Sequence, residues 1–319
     1  MKKGRITIFE VNIIYLLVAM LLVTLGAYFQ SLNIKTGLLI TEYILVLLPV
    51  IVFIKWKKMS LKKVLKLNKL NLKHGLLVMA ITVLIYPVAL FFNLIMMTII
   101  SLFTTIKSLP VPTASNFKEY VGLFFIIAIS AGICEEIFFR GMLLSVYKKK
   151  YKKLAIVITA VMFGIFHFNL QNLLAPTILG LIFGYLVYLT DSIFAGIIGH
   201  ITNNGLAVTL AYAVNVVSKK LNIYGNLEPR QGMANTMQLF AGTIMIGFVA
   251  IITGIFAYLL IKIIKKDIGN RFNDSKFGEI NEINIDTQDI TMKKNEKMTH
   301  YLPILGVVII YFFISFIQF

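Results

Sequence analysis

The chain has 319 residues, 58% of them hydrophobic and only 14% charged. A soluble domain of this size cannot hide that much apolar surface, and several runs reach about 20 residues, the length that spans a bilayer. A net charge of +17 suggests nucleic acid, but the lysines gather at the ends of apolar runs (2–5, 55–58, 148–153 and 262–266), the pattern of topogenic charge in membrane proteins.

Apolar runs cover about 11–30, 36–54, 75–105, 120–146, 154–169, 172–190, 193–217, 237–264 and 301–319. They predict an all-α, polytopic transmembrane bundle of about eight helices, nine if every run spans. The first run is long for a signal peptide and has no small-residue cleavage site, so it reads as a membrane helix. The third is long enough to tilt strongly or break at Pro87. With Lys2, Lys3 and Arg5 on the cytoplasmic side, the lysine-rich loops 55–74, 147–153 and 262–300 fall on that side too. The expected location is the cell membrane, with the N-terminus cytoplasmic. Anionic lipid headgroups are natural neighbours of these lysines.

The organisation expected along the chain is as follows. Residues 1–119 hold N-terminal membrane helices with a basic loop, in which 59–73 reads equally as an interfacial helix or a plain loop. Residues 120–217 hold a four-helix core, and 218–264 a further membrane helix. Residues 265–300 form a polar linker, flexible from Asp267 to Thr299, and 301–319 a last apolar helix.

Ionisable groups inside spans are expensive unless paired, so they are the functional candidates. The fourth run holds Glu135, Glu136 and Arg140, the fifth His167, and the seventh His200 with Asn203 and Asn204. Glu136 and Arg140 are i and i+4 on one face, so the arginine is expected to hold that acid. Glu135 is turned about 100° away and is left free. Phe163 and His167 share a face by the same rule, as do His200 and Asn204. Glycines flank all three places, allowing helices to approach closely. Cys134, the single cysteine, reads as packing, and one cysteine excludes an intrachain disulfide. Asp191 reads as marking the inner turn between two helices, as an N-cap candidate.

The three motifs EEIFFR, FGIFH and HITNN fit Glu-Glu-x-x-x-Arg, Phe-x-x-x-His and His-x-x-x-Asn, in order and inside membrane runs. In these the chain resembles the CAAX prenyl protease and bacteriocin-processing family of intramembrane proteases, also called the Abi family. The resemblance covers residues 120 to about 215. It implies an intramembrane endopeptidase acting on a membrane-associated or lipidated protein or peptide. Glu135 and His167 would activate a water, and His200 and Asn204 would stabilise the oxyanion. Glu136, Arg140 and Phe163 would orient them. A divalent metal such as zinc could be held by Glu135, His167 and His200, although the chain has no His-Glu-x-x-His and nothing local requires an ion. The alternative is a non-catalytic scaffold or bacteriocin-immunity protein of the same family. No nucleic-acid partner is expected.

Overall fold

The computed structural model describes residues 5–106, 112–221, 236–275 and 297–318, and these form helices and connecting turns with no strand among them. Nine apolar helices follow one another: α1 Ile8–Leu32, α2 Ile34–Trp56, α3 Leu72–Ser101, α4 Phe117–Tyr151, α5 Leu154–Ile165, α6 Leu174–Thr190, α7 Ile193–Lys220, α8 Thr236–Asn270 and α9 Met298–Ile317. All but α5 and α6 are long and apolar enough to cross a membrane. The chain is a multi-pass membrane protein. Its many exposed large apolar side chains, such as Phe240, Phe248 and Ile252 on α8, suit a lipid-facing surface.

Side chains in the sequence set several helix starts. Thr7 and Glu10 form a reciprocal capping box at α1. Asn33, Asn71 and Asn116 accept backbone N–H groups at the starts of α2, α3 and α4. Pro87 lies inside α3 without ending it, so of the two alternatives, a strong tilt or a break, the break does not occur. A broken helix in hydrocarbon would leave backbone groups with no water to bond, which favours continuity.

Polar contacts gather the ends of the helices at two poles. At one pole Lys57, after α2, pairs with Glu10 of α1, and Lys66 and Lys148 reach Asp191 between α6 and α7. There too, His74 Nε2 lies 2.7 Å from Asp267 Oδ2, tying α3 to α8, and Lys150 reaches Tyr301 at the start of α9. At the other pole, Asn215 of α7 donates to Ala114 O and Thr236 of α8 to Ser101 O. The helices therefore alternate in direction, and the lysine-rich segments share one end.

Three expectations change here. Residues 59–73 contain one helical turn, Leu61–Val64, and are otherwise irregular, so no interfacial helix of that length forms. The polar segment is not a linker from Asp267: the helical backbone of α8 runs on beyond its apolar part to Ser275, and Asp267 is held by His74 and Lys73. The rest of that segment, 276–296, lies outside the described residues. Asp191 caps the end of α6 in a left-handed conformation (φ 50°) rather than the start of α7. Its carboxylate takes the lysines and Asn68 instead.

Length decides what surrounds the middle of the bundle. Helix α4, with 35 residues, is about 52 Å long, whereas α5, with 12, covers only about 18 Å of a hydrocarbon core of about 30 Å. The loop between α5 and α6 therefore falls at membrane depth. Irregular backbone survives there only when it is buried in protein or lines a cavity.

Candidate active site

Helix α4 carries Glu135 and Glu136 between two stretches of wider, π-type helix, Phe124–Ser130 and Ile137–Leu143. Such local widening often accompanies functional positions. Glu136 is fully buried, and its Oε1 lies 2.8 Å from an Arg140 guanidinium nitrogen, the expected i and i+4 pair. Arg140 sits 4.4 Å from the Phe163 ring centre and within 3.4 Å of Gly180 O, so three helices hold it. The same Glu136 Oε1 lies 3.0 Å from His200 Nδ1. A carboxylate oxygen only accepts, so His200 donates from Nδ1 and turns Nε2 towards Glu135, whose Oε2 is 3.9 Å away. Glu136 thus orients His200 across the helix interface as well as holding Arg140.

His167 lies two residues beyond the end of α5. Its Nδ1 is 2.9 Å from Phe163 O, a carbonyl that can only accept, so Nδ1 carries the hydrogen and Nε2 is left as the second ring nitrogen. The Phe163 ring stands edge-on to both histidines, at 5.0 Å and 88° to His167 and at 5.8 Å and 85° to His200. Phe183 stacks on the other side of His200 at 5.9 Å. The aromatic partner of the second motif therefore braces both imidazoles. Asn204 donates from Nδ2 to Ile127 O on α4 and accepts from Asn203.

Close helix contact makes this possible. A Cβ on Gly196 would sit 2.3 Å from Glu136 Oε2, and one on Gly164 2.8 Å from Leu173 O. Gly196→Val is therefore expected to drive α7 off α4 and lower stability by about 1–3 kcal/mol, read as a fall in melting temperature of the purified protein.

Glu135, His167, His200 and Asn204 all line one cavity of about 270 Å³. The structure brings these four residues together. The cavity is not confined to the expected four-helix core, because Tyr86, Ala89, Leu90 and Asn93 of α3 complete its wall. Two further polar groups are unmarked by any motif. Glu42 of α2 is buried, and its Oε2 has no hydrogen-bond partner among the described residues. Asn93 is the other. The signal for both is a polar residue inside an apolar run, the same one that singles out Glu135. Cys134 is free and buried, in keeping with packing.

A metal finds no ready site. Among the described residues no three His, Cys, Asp or Glu side chains converge as a ligand set. Nδ1 of each histidine is held within the protein, which leaves Nε2 as the atom a metal would take, while Glu136 is shared between Arg140 and His200. Glu135, His167 and His200 share a cavity wall but not the geometry of ligands around one ion.

Residues 117–206, under a third of the chain, match the model of the family described as Type II CAAX prenyl endopeptidase Rce1-like. All three motifs lie inside the matched stretch, which bears out the resemblance read from them. No curated protein and no solved structure matches the chain.

Proposed function

We propose, from the match of residues 117–206 to the Type II CAAX prenyl endopeptidase Rce1-like family, that the chain hydrolyses a peptide bond of a membrane-associated or lipidated protein or peptide. The observation that supports this best is the convergence of Glu135, His167, His200 and Asn204 on one cavity. Glu135, whose Oε2 has no hydrogen-bond partner among the described residues, is the general base. It takes a proton from a water that His167 Nε2 helps to hold. The water oxygen attacks the carbonyl carbon and forms the C–O bond, leaving a tetrahedral oxyanion. His200, once it carries a proton at Nε2 as well as at the Nδ1 held by Glu136, and the second hydrogen of Asn204 Nδ2 are the donors to such an oxyanion. Glu135 then passes its proton to the nitrogen as the C–N bond breaks, releasing an amine and a carboxylic acid, which loses the remaining water proton to solvent.

Glu136 and Arg140 act through His200 rather than on the substrate. The lysine-rich pole faces the cytoplasm of the cell membrane, with the N-terminus on that side, because Lys57, Lys66, Lys73 and Lys148 all gather there. Helices α1–α3, α8 and α9 form the surround of the core, and α3 contributes a wall of the cavity through which substrate choice can act.

The test compares protein N-termini and peptides in membrane fractions from cells carrying the wild type or Glu135→Ala at equal expression. Cleavage products present with the wild type and missing with the variant are expected, and they name the substrate. Identical profiles, with a phenotype kept by both, would overturn catalysis and leave a scaffold of the same family.

A further inference from the structure

Two amide oxygens in the cavity-lining residues have no hydrogen-bond partner among the described residues: Asn93 Oδ1 on α3 and Asn203 Oδ1 on α7. The orientation of Asn203 follows from its neighbours. The Ile127 carbonyl can only accept, so Asn204 must turn Nδ2 towards it. Asn204 then presents Oδ1 to Asn203, which must answer with its own Nδ2. The oxygen of Asn203 is the end left over, on a side chain that is nine-tenths buried. Asn93 has only a weak internal contact, its Nδ2 lying 3.9 Å from Met97 Sδ. Buried amide oxygens are rarely left without a donor; both belong to side chains that line the cavity, so a guest that displaces the atoms closing them off is the natural source of one.

The donor can be narrowed by chemistry. Among the described residues that line the cavity there is no lysine or arginine, so a free carboxylate would meet two amide oxygens and Glu135 with no cation to hold it. An extended main chain fits better. It presents N–H groups alternately to either side, so acceptors on two different helices can each take one. Leu90, Pro176, Leu179 and Phe183 supply apolar wall for the side chains between.

We propose that Asn93 and Asn203 form a main-chain subsite, each accepting a backbone N–H of an extended peptide beside the bond to be cut. The subsite rests on the peptidase reading for its ligand. It explains why the cavity would take the interior of a chain rather than its free C-terminus. It also gives α3, outside the family-matched stretch, a direct part in holding substrate.

The test is a coupling measurement between protein and ligand. The full-length protein carrying Glu135→Ala, in lipid nanodiscs, is titrated with a fluorescent peptide containing an S-farnesyl cysteine. A matched set of peptides has each backbone N–H near the expected cleavage point N-methylated in turn. Adding Asn93→Val is expected to weaken binding of the parent peptide about tenfold, and one N-methyl peptide should bind the Asn93 protein about tenfold more weakly. Combined, the two changes should give little further loss, because they remove the same bond. Asn93→Ser, which keeps an acceptor, should recover part of the affinity. Asn203→Ala should couple to a different N–H. Losses that simply multiply, affinities that do not change, or a peptide that does not bind would each overturn the subsite. Cleavage of the same peptides by the protein with Glu135 intact separates the two readings. Cleavage without coupling removes the subsite and keeps the protease. Coupling without cleavage keeps a peptide-binding site and removes the protease.

Discussion

Glu135→Gln is expected to lower kcat by about 10²–10⁴-fold on any substrate the wild type cleaves, with KM little changed and the fold intact. Glutamine keeps the shape of the side chain and loses the base. Glu135 Oε2 makes no hydrogen bond among the described residues that the change would break, and His200 Nε2 stands 3.9 Å off. The adjacent substitution Glu136→Gln should behave differently. Its carboxylate is shared by Arg140 and His200, so neutralising it strips a buried guanidinium of its partner. The first variant should be a well-folded protein with little activity, and the second a less stable one. Single-turnover kinetics beside melting curves of both proteins check this. Equal melting temperatures for the two variants, or equal losses of kcat, would remove the separation of roles.

That separation is legible in nine letters, ICEEIFFRG, because it depends only on helix periodicity. Glu136 and Arg140 fall on one face and Glu135 does not, and neither fact needs a tertiary structure. The same holds for Phe163 with His167 and His200 with Asn204. Periodicity fails where an element ends or where a neighbour comes from a distant helix. His167 lies beyond the end of α5, and its ring is fixed by a carbonyl bond and an aromatic edge instead of by a continuing helix. The bond from His200 to Glu136 crosses 64 residues, and nothing local forecasts it. Glu42 and Asn93 each stand alone in an apolar run, with no partner at i+3 or i+4 to turn an oddity into a motif. The contact that holds Asp267 of α8 comes from His74, nearly two hundred residues earlier. In each case the missing information is a contact between helices.

Position in the membrane follows from lengths in a similar way. A 12-residue helix cannot cross hydrocarbon, so the turn after α5 has to be sheltered by protein. The shelter is the cavity, and the residue displayed at that turn is His167. A short helix, often read as a flaw in a membrane count, is here what delivers a histidine to mid-depth beside Glu135 and His200.

Arg140→Met is expected to destabilise the protein by about 3–5 kcal/mol, the usual result of stranding one member of a buried ion pair. Arg140 is 2% exposed and Glu136 is fully buried, so water cannot take over for the lost partner. The double variant Glu136→Gln with Arg140→Met should recover much of the loss. It removes both charges, fills the guanidinium's place between Phe163 and Phe139 with apolar atoms, and leaves a side-chain oxygen to accept from His200 Nδ1. Melting of the four proteins of this cycle in one detergent measures the interaction. Recovery should be clear in stability and weaker in activity, because glutamine holds the imidazole by a neutral hydrogen bond where glutamate offers a charge-assisted one. If the double variant is no more stable than Arg140→Met, the arginine contributes through its packing against the phenylalanine rings and not through the ion pair. In that case Glu136 would be retained for the orientation of His200 alone, and its place in the first motif would belong to the chemistry of the site rather than to the stability of the bundle.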